Sequence, residues 1–215
     1  MNRTLYTYFR SSAAYRVRIA MNLKGLQADP VYVHLNRNGG EQYDDAYKAV
    51  NPQALVPALV EDGMVLSQSL AIIEYLDEQY TDKPLLPKAP IERAHVRQLA
   101  LGIACDIHPL NNLRVLKYLS GTLGVNDAQT SDWIANWITL GLQAVEAELA
   151  RHPAGRFCFG DTPTVADCCL VPQVFSAQRF SVDLSACPWV LAVYEHCQTL
   201  PAFIDAQPGR QPDAE

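Results

Sequence analysis

The sequence predicts an α/β domain followed by an all-helical domain, and two observations lead to this prediction. Before residue 82, short β-prone runs alternate with segments whose apolar residues recur at helical spacing. After residue 90, helical spacing continues almost to the end of the chain. Between these regions, Pro84, Pro87 and Pro90 prevent a continuous helix and keep the backbone extended. We therefore predict a first domain over 1–82, a linker over 83–90 and a helical domain over 91–215.

The elements of the first domain follow from the residues that end them. Gly25 ends the first helix-period run, and Asp62-Gly63 provides a tight turn between two strand-like runs. The segment Glu41–Val50 is either a short helix or an ordered loop. The other predicted elements are a strand over Thr4–Phe9, a helix over 14–21, strands over Val31–Leu35, Val56–Val60 and Met64–Leu66, and a helix over Ser69–Tyr80. This β-α-β, connector, β-β-α order is the order of a thioredoxin-like domain.

The second domain is predicted as a bundle of helices. Thr164 and Asp167 have the spacing of a capping box, in which each side chain accepts a backbone N–H of the other residue. The tail Pro208–Glu215 is rich in proline and charge, so we expect it to lie loosely on the surface. The predicted helices span Ile91–Leu119, Ala128–Ala150, Thr164–Phe180 and Pro188–Thr199.

Composition restricts the kind of partner. The chain has 215 residues, of which 49% are hydrophobic and 19% are charged, as in ordinary globular proteins. Its 17 basic and 23 acidic side chains give a net charge of −6, which disfavours nucleic acid and anionic membranes as partners and favours a small-molecule ligand. No apolar run reaches the roughly 18 residues of a membrane-spanning helix. The start lacks the apolar core of a secretory signal, so we expect a cytoplasmic protein.

The cysteines and histidines do not predict a metal or redox centre. The 6 cysteines all lie in the second half and form no Cys-x-x-Cys pair, so buried, reduced thiols are expected. The histidines have no ligand spacing relative to one another or to the cysteines, and no metal site is predicted. They are His34, His95, His108, His152 and His196.

Ser11 and Ser12 stand where the first strand turns into the first helix. A hydroxyl at this place can face a group bound at the positive end of the helix. The alternative is a plain helix cap, which serine at this position provides by itself. Position alone does not decide between these interpretations.

Two further segments could bind an extended ligand. Pro57 cannot donate to a strand ladder, and a cis peptide bond after Val56 would leave the Val56 backbone available to a ligand. Gln68 and Ser69 begin a predicted helix, where a hydroxyl and unpaired backbone N–H groups form a carboxylate site. The alternative for Ser69 is again a helix cap.

Polar groups also interrupt the first helix of the bundle. The run His108–Asn112 contains a proline, so it predicts either a kink or a ligand contact. Arg10, Arg114 and Arg179 could each bind a carboxylate through two hydrogen bonds, although a solvated surface position is the alternative for each.

Five segments together carry a resemblance to a known family. The opening serine-rich segment and the Leu-Val-Pro-Gln segment resemble those of zeta-class glutathione S-transferases, and Gln-Ser-x-Ala-Ile is shared by many glutathione transferases. The resemblance covers nearly the whole chain and implies the glutathione S-transferase fold. The segments are 8–20, 51–57, 68–76, 107–114 and 160–173.

The resemblance implies roles for the candidate residues. Ser11, next to Ser12, would face the sulfur of glutathione, with Pro57 in the cis form. Arg10, Arg114 and Arg179 would meet a dicarboxylate substrate. The cofactor would be held by Gln42, Val56, Pro57, Gln68 and Ser69, with His108 and Asn112 lining the cleft. Ala13 occupies a position at which zeta-class enzymes usually carry cysteine, so that cysteine is not required for the implied reaction.

The implied reaction is a glutathione-dependent cis–trans isomerisation of an unsaturated diketo acid by a homodimer. Reversible addition of a thiolate would turn the double bond into a rotatable single bond. Maleylacetoacetate is the expected substrate and maleylpyruvate the alternative. A conjugating or dehalogenating transferase and a binding module without catalysis are the other possibilities.

Overall fold

The computed structural model describes residues 2–151 and 155–215, which form two compact units. The first unit contains the residues up to Leu85 together with Thr199–Glu215, and the second spans Leu86–Gln198. The division near residue 85 lies inside the predicted linker. Residues Thr199–Glu215 belong to the first unit, although the sequence-based boundaries assigned them to the helical domain.

The first unit is built on a mixed sheet of four strands in the order β2-β1-β3-β4. The parallel pair β1–β2 requires a crossover, which the first helix provides. The pairs β1–β3 and β3–β4 are antiparallel, and β3 and β4 meet at the predicted Asp62-Gly63 turn. The strands are β1 (Arg3–Thr7), β2 (Asp29–Tyr32), β3 (Ala58–Glu61) and β4 (Met64–Ser67).

The described part of the first unit up to Leu85 contains three α-helices, of which the first and third pack against each other. Gly25 ends α1, as the sequence predicted. Its φ is 70°, and its backbone N–H donates to carbonyl oxygens of the last turn, those of Met21 and Asn22. The helices are α1 (Ser12–Lys24), α2 (Asp45–Val50) and α3 (Ser69–Gln79). This arrangement confirms the predicted α/β fold of the first domain.

The strand ends differ from the predictions for identifiable reasons. The predicted strand Val56–Val60 begins only at Ala58, because Pro57 has no N–H for the ladder. The predicted strand Val31–Leu35 is shifted to Asp29–Tyr32. Its C-terminal end is lost because the His34 N–H is bound by the carboxylate of Glu41, which turns the chain into a loop.

The second unit is all-helical, as predicted, but its first helix is divided. The predicted Ile91–Leu119 helix becomes α4 (Pro90–Leu101), a π-helical stretch Gly102–Ile107, a 3-10 turn His108–Asn111 and α5 (Leu113–Gly121). Pro109 lies in the 3-10 turn, so the proline ends the regular helix where the sequence indicated an interruption. The other helices are α6 (Asp127–Arg151), α7 (Val165–Arg179) and α8 (Pro188–Cys197).

The predicted capping box begins α7. The Asp167 carboxylate accepts from the Thr164 N–H at 2.7 Å and from the Cys158 N–H at 2.8 Å. Burial raises the pKa of Asp167, and these hydrogen bonds oppose that rise. Cys158, Cys168, Cys169, Cys187 and Cys197 are buried free thiols as expected, whereas Cys105 is exposed.

The C-terminal tail is ordered against the first unit, so the prediction of a loose tail is wrong. The short helix α9 (Pro201–Ile204) packs on α1. Asp213 accepts the Phe9 N–H, and Glu215 pairs with Arg37. These specific contacts fix the tail despite its polar composition. No helix within residues 2–151 and 155–215 combines the length and the apolarity that a bilayer crossing requires.

Candidate functional site

Ser11 caps the N-terminus of α1. Its backbone is extended, with a φ of −71°, and its Oγ accepts the Ala14 N–H at 3.2 Å. The side chain is half-buried. Capping uses a lone pair of the hydroxyl oxygen, so its hydrogen remains available for donation to another group. The structure therefore makes the cap and the catalytic role of Ser11 compatible, whereas the sequence presented them as alternatives.

A buried arginine holds the segment that leads into Ser11. Arg18 is 7% exposed, and its guanidinium donates to the carbonyl oxygens of Tyr8 at 3.3 Å and Phe9 at 3.0 Å. It also donates to Thr7 Oγ1 at 3.1 Å. Burial lowers the pKa of Arg18 to about 10, so the side chain stays charged at neutral pH. Sequence reasoning missed this residue, which is separated from Ser11 by two turns of helix.

The N-terminus of α3 forms a positively polarised site. The N-cap residue, Gln68, makes no side-chain capping bond, so first-turn backbone N–H groups are available to a ligand. Arg16 is 2% exposed and donates through Nη1 to Ser69 Oγ at 3.2 Å. A buried guanidinium and the end of a helix dipole thus meet at Ser69, and both favour an anion.

The same hydrogen bond locates the two helix starts relative to each other. Arg16 lies about one helical turn after Ser12, which corresponds to a rise of roughly 6 Å. It contacts the first residue of α3. The N-termini of α1 and α3 therefore lie at the same end of the first unit. Arg16 was not predicted either, although a charged residue between Tyr15 and Val17 within an apolar run was a usable signal.

Gln68 occupies a backbone conformation that is uncommon for a residue with a side chain. Its φ is 70°, and its Nε2 donates to Gln53 Oε1 at 2.9 Å. Side chains in this region of φ and ψ concentrate at ligand-binding positions. The side chain is exposed at the start of α3, beside Ser69.

Val56 lies next to the segment that carries Ser11. The Val56-Pro57 peptide bond is cis, which confirms the prediction. Val56 precedes β3 and lies outside the ladder, whose register begins at Ala58. Its side chain packs with Tyr8 and Phe9 in one hydrophobic cluster. The preceding Leu55 carbonyl accepts two side-chain hydrogen bonds, from Tyr47 and Asn51.

Gln42 is a buried amide with spare hydrogen-bonding capacity. It is 4% exposed, and its Nε2 donates weakly to the Leu35 carbonyl at 3.3 Å. Its Oε1 has no partner among the described residues. Gly40 leaves room for this amide, since a Cβ at that position would lie 2.6 Å from Gln42 Nε2. Buried polar atoms are normally paired, so the unpaired oxygen indicates a ligand contact.

The predicted substrate-binding cations are exposed. The Arg10 guanidinium lies 4.8 Å from the centre of the Phe9 ring, and that of Arg179 lies 4.3 Å from the centre of the Phe180 ring. These contacts orient both side chains without burying their charge. Arg10 belongs to the first unit, one residue before Ser11, whereas Arg114 and Arg179 belong to the second.

His108 and Asn112 lie at the bend after α4. His108 is half-buried and begins the 3-10 turn. Asn112 caps α5 by accepting the Arg114 N–H at 3.1 Å. Asn112 therefore has a structural role in addition to its predicted place in the cleft. Within the described ranges, no group of three or more His, Cys, Asp or Glu residues could hold a metal ion, and His152 lies outside those ranges.

Comparison with known proteins identifies the family. Residues 5–84 match the N-terminal domain of the glutathione S-transferases, and residues 138–197 match their C-terminal domain. A probable maleylacetoacetate isomerase of Vibrio cholerae is 49% identical over 100% of this chain and 99% of its own length. The chain belongs to the glutathione S-transferase family. The resemblance found in the motifs is thus confirmed.

Two solved members of the glutathione S-transferase family match nearly the whole fold. One is the holo structure of a maleylpyruvate isomerase, described as a bacterial zeta-class glutathione S-transferase. It is 50% identical, with a TM-score of 0.96, and the match covers 99% of this chain and 100% of the other. The second is a maleylacetoacetate isomerase from Methylobacterium extorquens with bound malonate and glutathione. It is 41% identical, with a TM-score of 0.94 and coverage of 99% of each chain.

Proposed function

We propose that this chain is a glutathione-dependent cis–trans isomerase that converts maleylacetoacetate to fumarylacetoacetate in tyrosine and phenylalanine catabolism. The observation that carries the proposal is the geometry of Ser11, which caps α1 with its oxygen and keeps its hydrogen for a sulfur. The full-length likeness to maleylacetoacetate isomerases supports the choice of reaction.

The residues of the first unit fit glutathione. Its γ-glutamyl carboxylate suits the start of α3, where the backbone N–H groups, Ser69 and the buried charge of Arg16 favour an anion. Its cysteinyl backbone suits the main chain of Val56, which the ladder does not use. The unpaired Oε1 of Gln42 suits an N–H donor of the peptide. In this proposal Gln68 and Pro57 shape the same site.

Bound glutathione supplies a thiolate that adds reversibly to the olefin and leaves again after rotation. Ser11 would favour the ionised sulfur, with Ser12 beside it in the first turn of α1. A free thiol has a pKa of about 8.5. Lowering it by about 2 units requires about 2.7 kcal/mol. A hydrogen bond to a charged group contributes about 1.5–3 kcal/mol and a helix N-terminus about 0.3–2 kcal/mol, so the required free energy lies within the range that Ser11 and α1 could supply together.

The substrate side would be served by cations and by the bend of the second unit. The planar forks of Arg10, Arg114 and Arg179 suit carboxylates and a developing enolate oxygen. His108 and Asn112 would line the cleft near the cofactor. Ala13 stands beside Ser11 where the resemblance leads one to expect cysteine, and the proposed steps use no protein thiol.

The decisive experiment for this function follows the fate of glutathione. We expect maleylacetoacetate to be converted with a small amount of glutathione over many turnovers, and mass spectrometry to recover the tripeptide unchanged. Consumption of one glutathione for each product molecule would instead establish a conjugating or dehalogenating transferase. Failure of the protein to bind glutathione in a titration would favour the remaining possibility, a binding module without catalysis.

Maleylpyruvate is the second candidate substrate, favoured by the full-length likeness to the zeta-class maleylpyruvate isomerase. Both acids present the same reacting enone and differ in the chain beyond it. Comparison of kcat/KM for the two acids separates them, and we expect the larger value for maleylacetoacetate.

Removing a substrate-binding arginine should weaken substrate binding selectively. We expect Arg10→Ala and Arg179→Ala each to raise the substrate KM about tenfold or more, because each removes a charge-assisted contact. Glutathione affinity should be unchanged. Arg156→Ala is the control, since Arg156 is exposed and lies outside the proposed site. Normal substrate KM values in both variants would place the carboxylate clamp elsewhere.

The setting of the enzyme is part of the proposal. An acidic chain that uses glutathione and a small dicarboxylate suits the cytoplasm, where reduced glutathione maintains free thiols. We propose a homodimer, as the zeta-class resemblance implies. Size-exclusion chromatography with light scattering tests this assembly.

A further inference from the structure

The C-terminal tail contacts the segment that carries the proposed catalytic serine. The Asp213 Oδ2 accepts the backbone N–H of Phe9 at 2.9 Å, across 204 positions of sequence. Phe9 precedes Ser11 by two residues. Phe9 lies in the turn between β1 and α1, outside both elements. The acceptor of its N–H therefore comes from the tail and not from a helix or strand ladder.

The same peptide segment is held from its other side by Arg18. The guanidinium donates to the Phe9 carbonyl at 3.0 Å and to the Tyr8 carbonyl at 3.3 Å. Phe9 is therefore held by its N–H through Asp213 and by its carbonyl through Arg18. Its ring is 4% exposed and packs in the cluster with Val56.

The tail and Arg18 also support each other. Arg18 Nε donates to the carbonyl oxygen of Ala206, two residues before the tail, at 3.1 Å. This hydrogen bond ties the segment that leads into the tail to α1. Burial lowers the pKa of Arg18, and the negative charge of Asp213 opposes that effect. The second carboxylate oxygen, Oδ1, is buried without a partner among the described residues. A buried carboxylate oxygen without a donor costs free energy, so this arrangement is not expected of an ordinary surface residue.

From these contacts we infer that Asp213 is a positioning residue for Ser11: with Arg18 it clamps the Phe9 peptide and so aligns the Ser11 hydroxyl and the start of α1 with the sulfur of glutathione. The inference rests on the proposed function. It adds a residue of the distant tail to the machinery that lowers the pKa of the bound thiol.

The main test is Asp213→Ala. We expect the pKa of the glutathione thiol in the binary complex, followed by thiolate absorbance, to rise by about one unit and kcat to fall about tenfold, because the Phe9 N–H loses its acceptor and the Ser11 hydroxyl is no longer held in line with the sulfur. In the protein without glutathione, amide exchange over Phe9–Ala13 should become faster. Asp213→Asn keeps a carbonyl acceptor of the same shape, so its kcat should lie within about threefold, and its thiol pKa within about half a unit, of the parent values.

Two further variants make the result decisive. Glu215→Gln changes the same tail at an exposed residue that pairs with Arg37 and does not contact Phe9, so it should behave as the parent does. A chain that ends at Pro212 also lacks the Asp213 side chain and should reproduce the Asp213→Ala result, which provides the measurement if the alanine variant does not fold. An unchanged thiol pKa and unchanged exchange over Phe9–Ala13, in Asp213→Ala or in the shortened chain, would overturn the inference. A parent chain without glutathione-dependent isomerisation would instead overturn the proposed function.

Discussion

Replacement of Ser11 with alanine is expected to lower kcat at least about a hundredfold while glutathione still binds. The reason is the loss of the donor that favours the ionised sulfur. A hydrogen bond to a charged group contributes up to about 3 kcal/mol, and the loss of about 2.7 kcal/mol of thiolate stabilisation corresponds to about two factors of ten. Steady-state kinetics with saturating glutathione measure the change, and isothermal titration measures glutathione affinity.

Two matched variants separate the chemical role of Ser11 from its role as a helix cap. Glycine is nearly as good a cap as serine, and the φ of −71° accommodates it, so Ser11→Gly should keep most of the stability but lose as much kcat as Ser11→Ala. Ser11→Thr retains a hydroxyl and should retain activity within about tenfold. If Ser11→Gly keeps full turnover, the serine is only a cap and the proposed mechanism is wrong.

The second large effect is expected on stability, at a buried ion pair between α1 and α3. Lys24 Nζ lies 2.8 Å from Asp77 Oδ1, and their side chains are 1% and 7% exposed. The same carboxylate oxygen accepts the Leu85 N–H at 2.7 Å, and Lys24 donates to the Lys83 carbonyl at 2.9 Å. Asp77→Ala should lower the free energy of unfolding of the first unit by about 3–5 kcal/mol, because it leaves a buried ammonium unpaired.

Chemical denaturation, followed by circular dichroism, measures this change. The double variant Lys24→Met, Asp77→Leu removes both charges and should recover most of the stability, since buried pairs are replaceable by apolar residues. Lys48→Met breaks an exposed pair with Asp45 and should leave the unfolding curve unchanged. An Asp77→Ala protein as stable as its parent would show that water or a rearranged carbonyl satisfies Lys24.

Much of the fold was predictable because local signals mark it. The left-handed Gly25 ends α1, the Asp62-Gly63 turn joins β3 to β4, and Thr164 with Asp167 begins α7. Each of these effects acts over a few residues of backbone, so the sequence shows it directly. The strand bounds were less predictable, since Val31–Leu35 shifts to Asp29–Tyr32 where the carboxylate of Glu41, in the following loop, binds the His34 N–H.

The residues of the candidate site were also predictable only in part. Residues at element ends, such as Ser11 and Ser69, were identified because helix starts expose backbone N–H groups whatever lies around them. The charged residues that support them were not identified from the sequence. Arg16, Arg18 and Asp213 have the residue types of an ordinary solvated surface, and only packing shows that the two arginines and one carboxylate oxygen of Asp213 are buried.

The order of elements, the cis proline, the helix caps and the family motifs are legible in the chain itself, because steric limits and hydrogen-bond valence act between near neighbours. Tertiary structure alone decided that Arg16 lies against Ser69, that Arg18 and Asp213 grip the two sides of the Phe9 peptide, and that the tail belongs to the first unit. The physical reason is that desolvation of a charge depends on what surrounds it in space. Such surroundings come from residues up to 204 positions away.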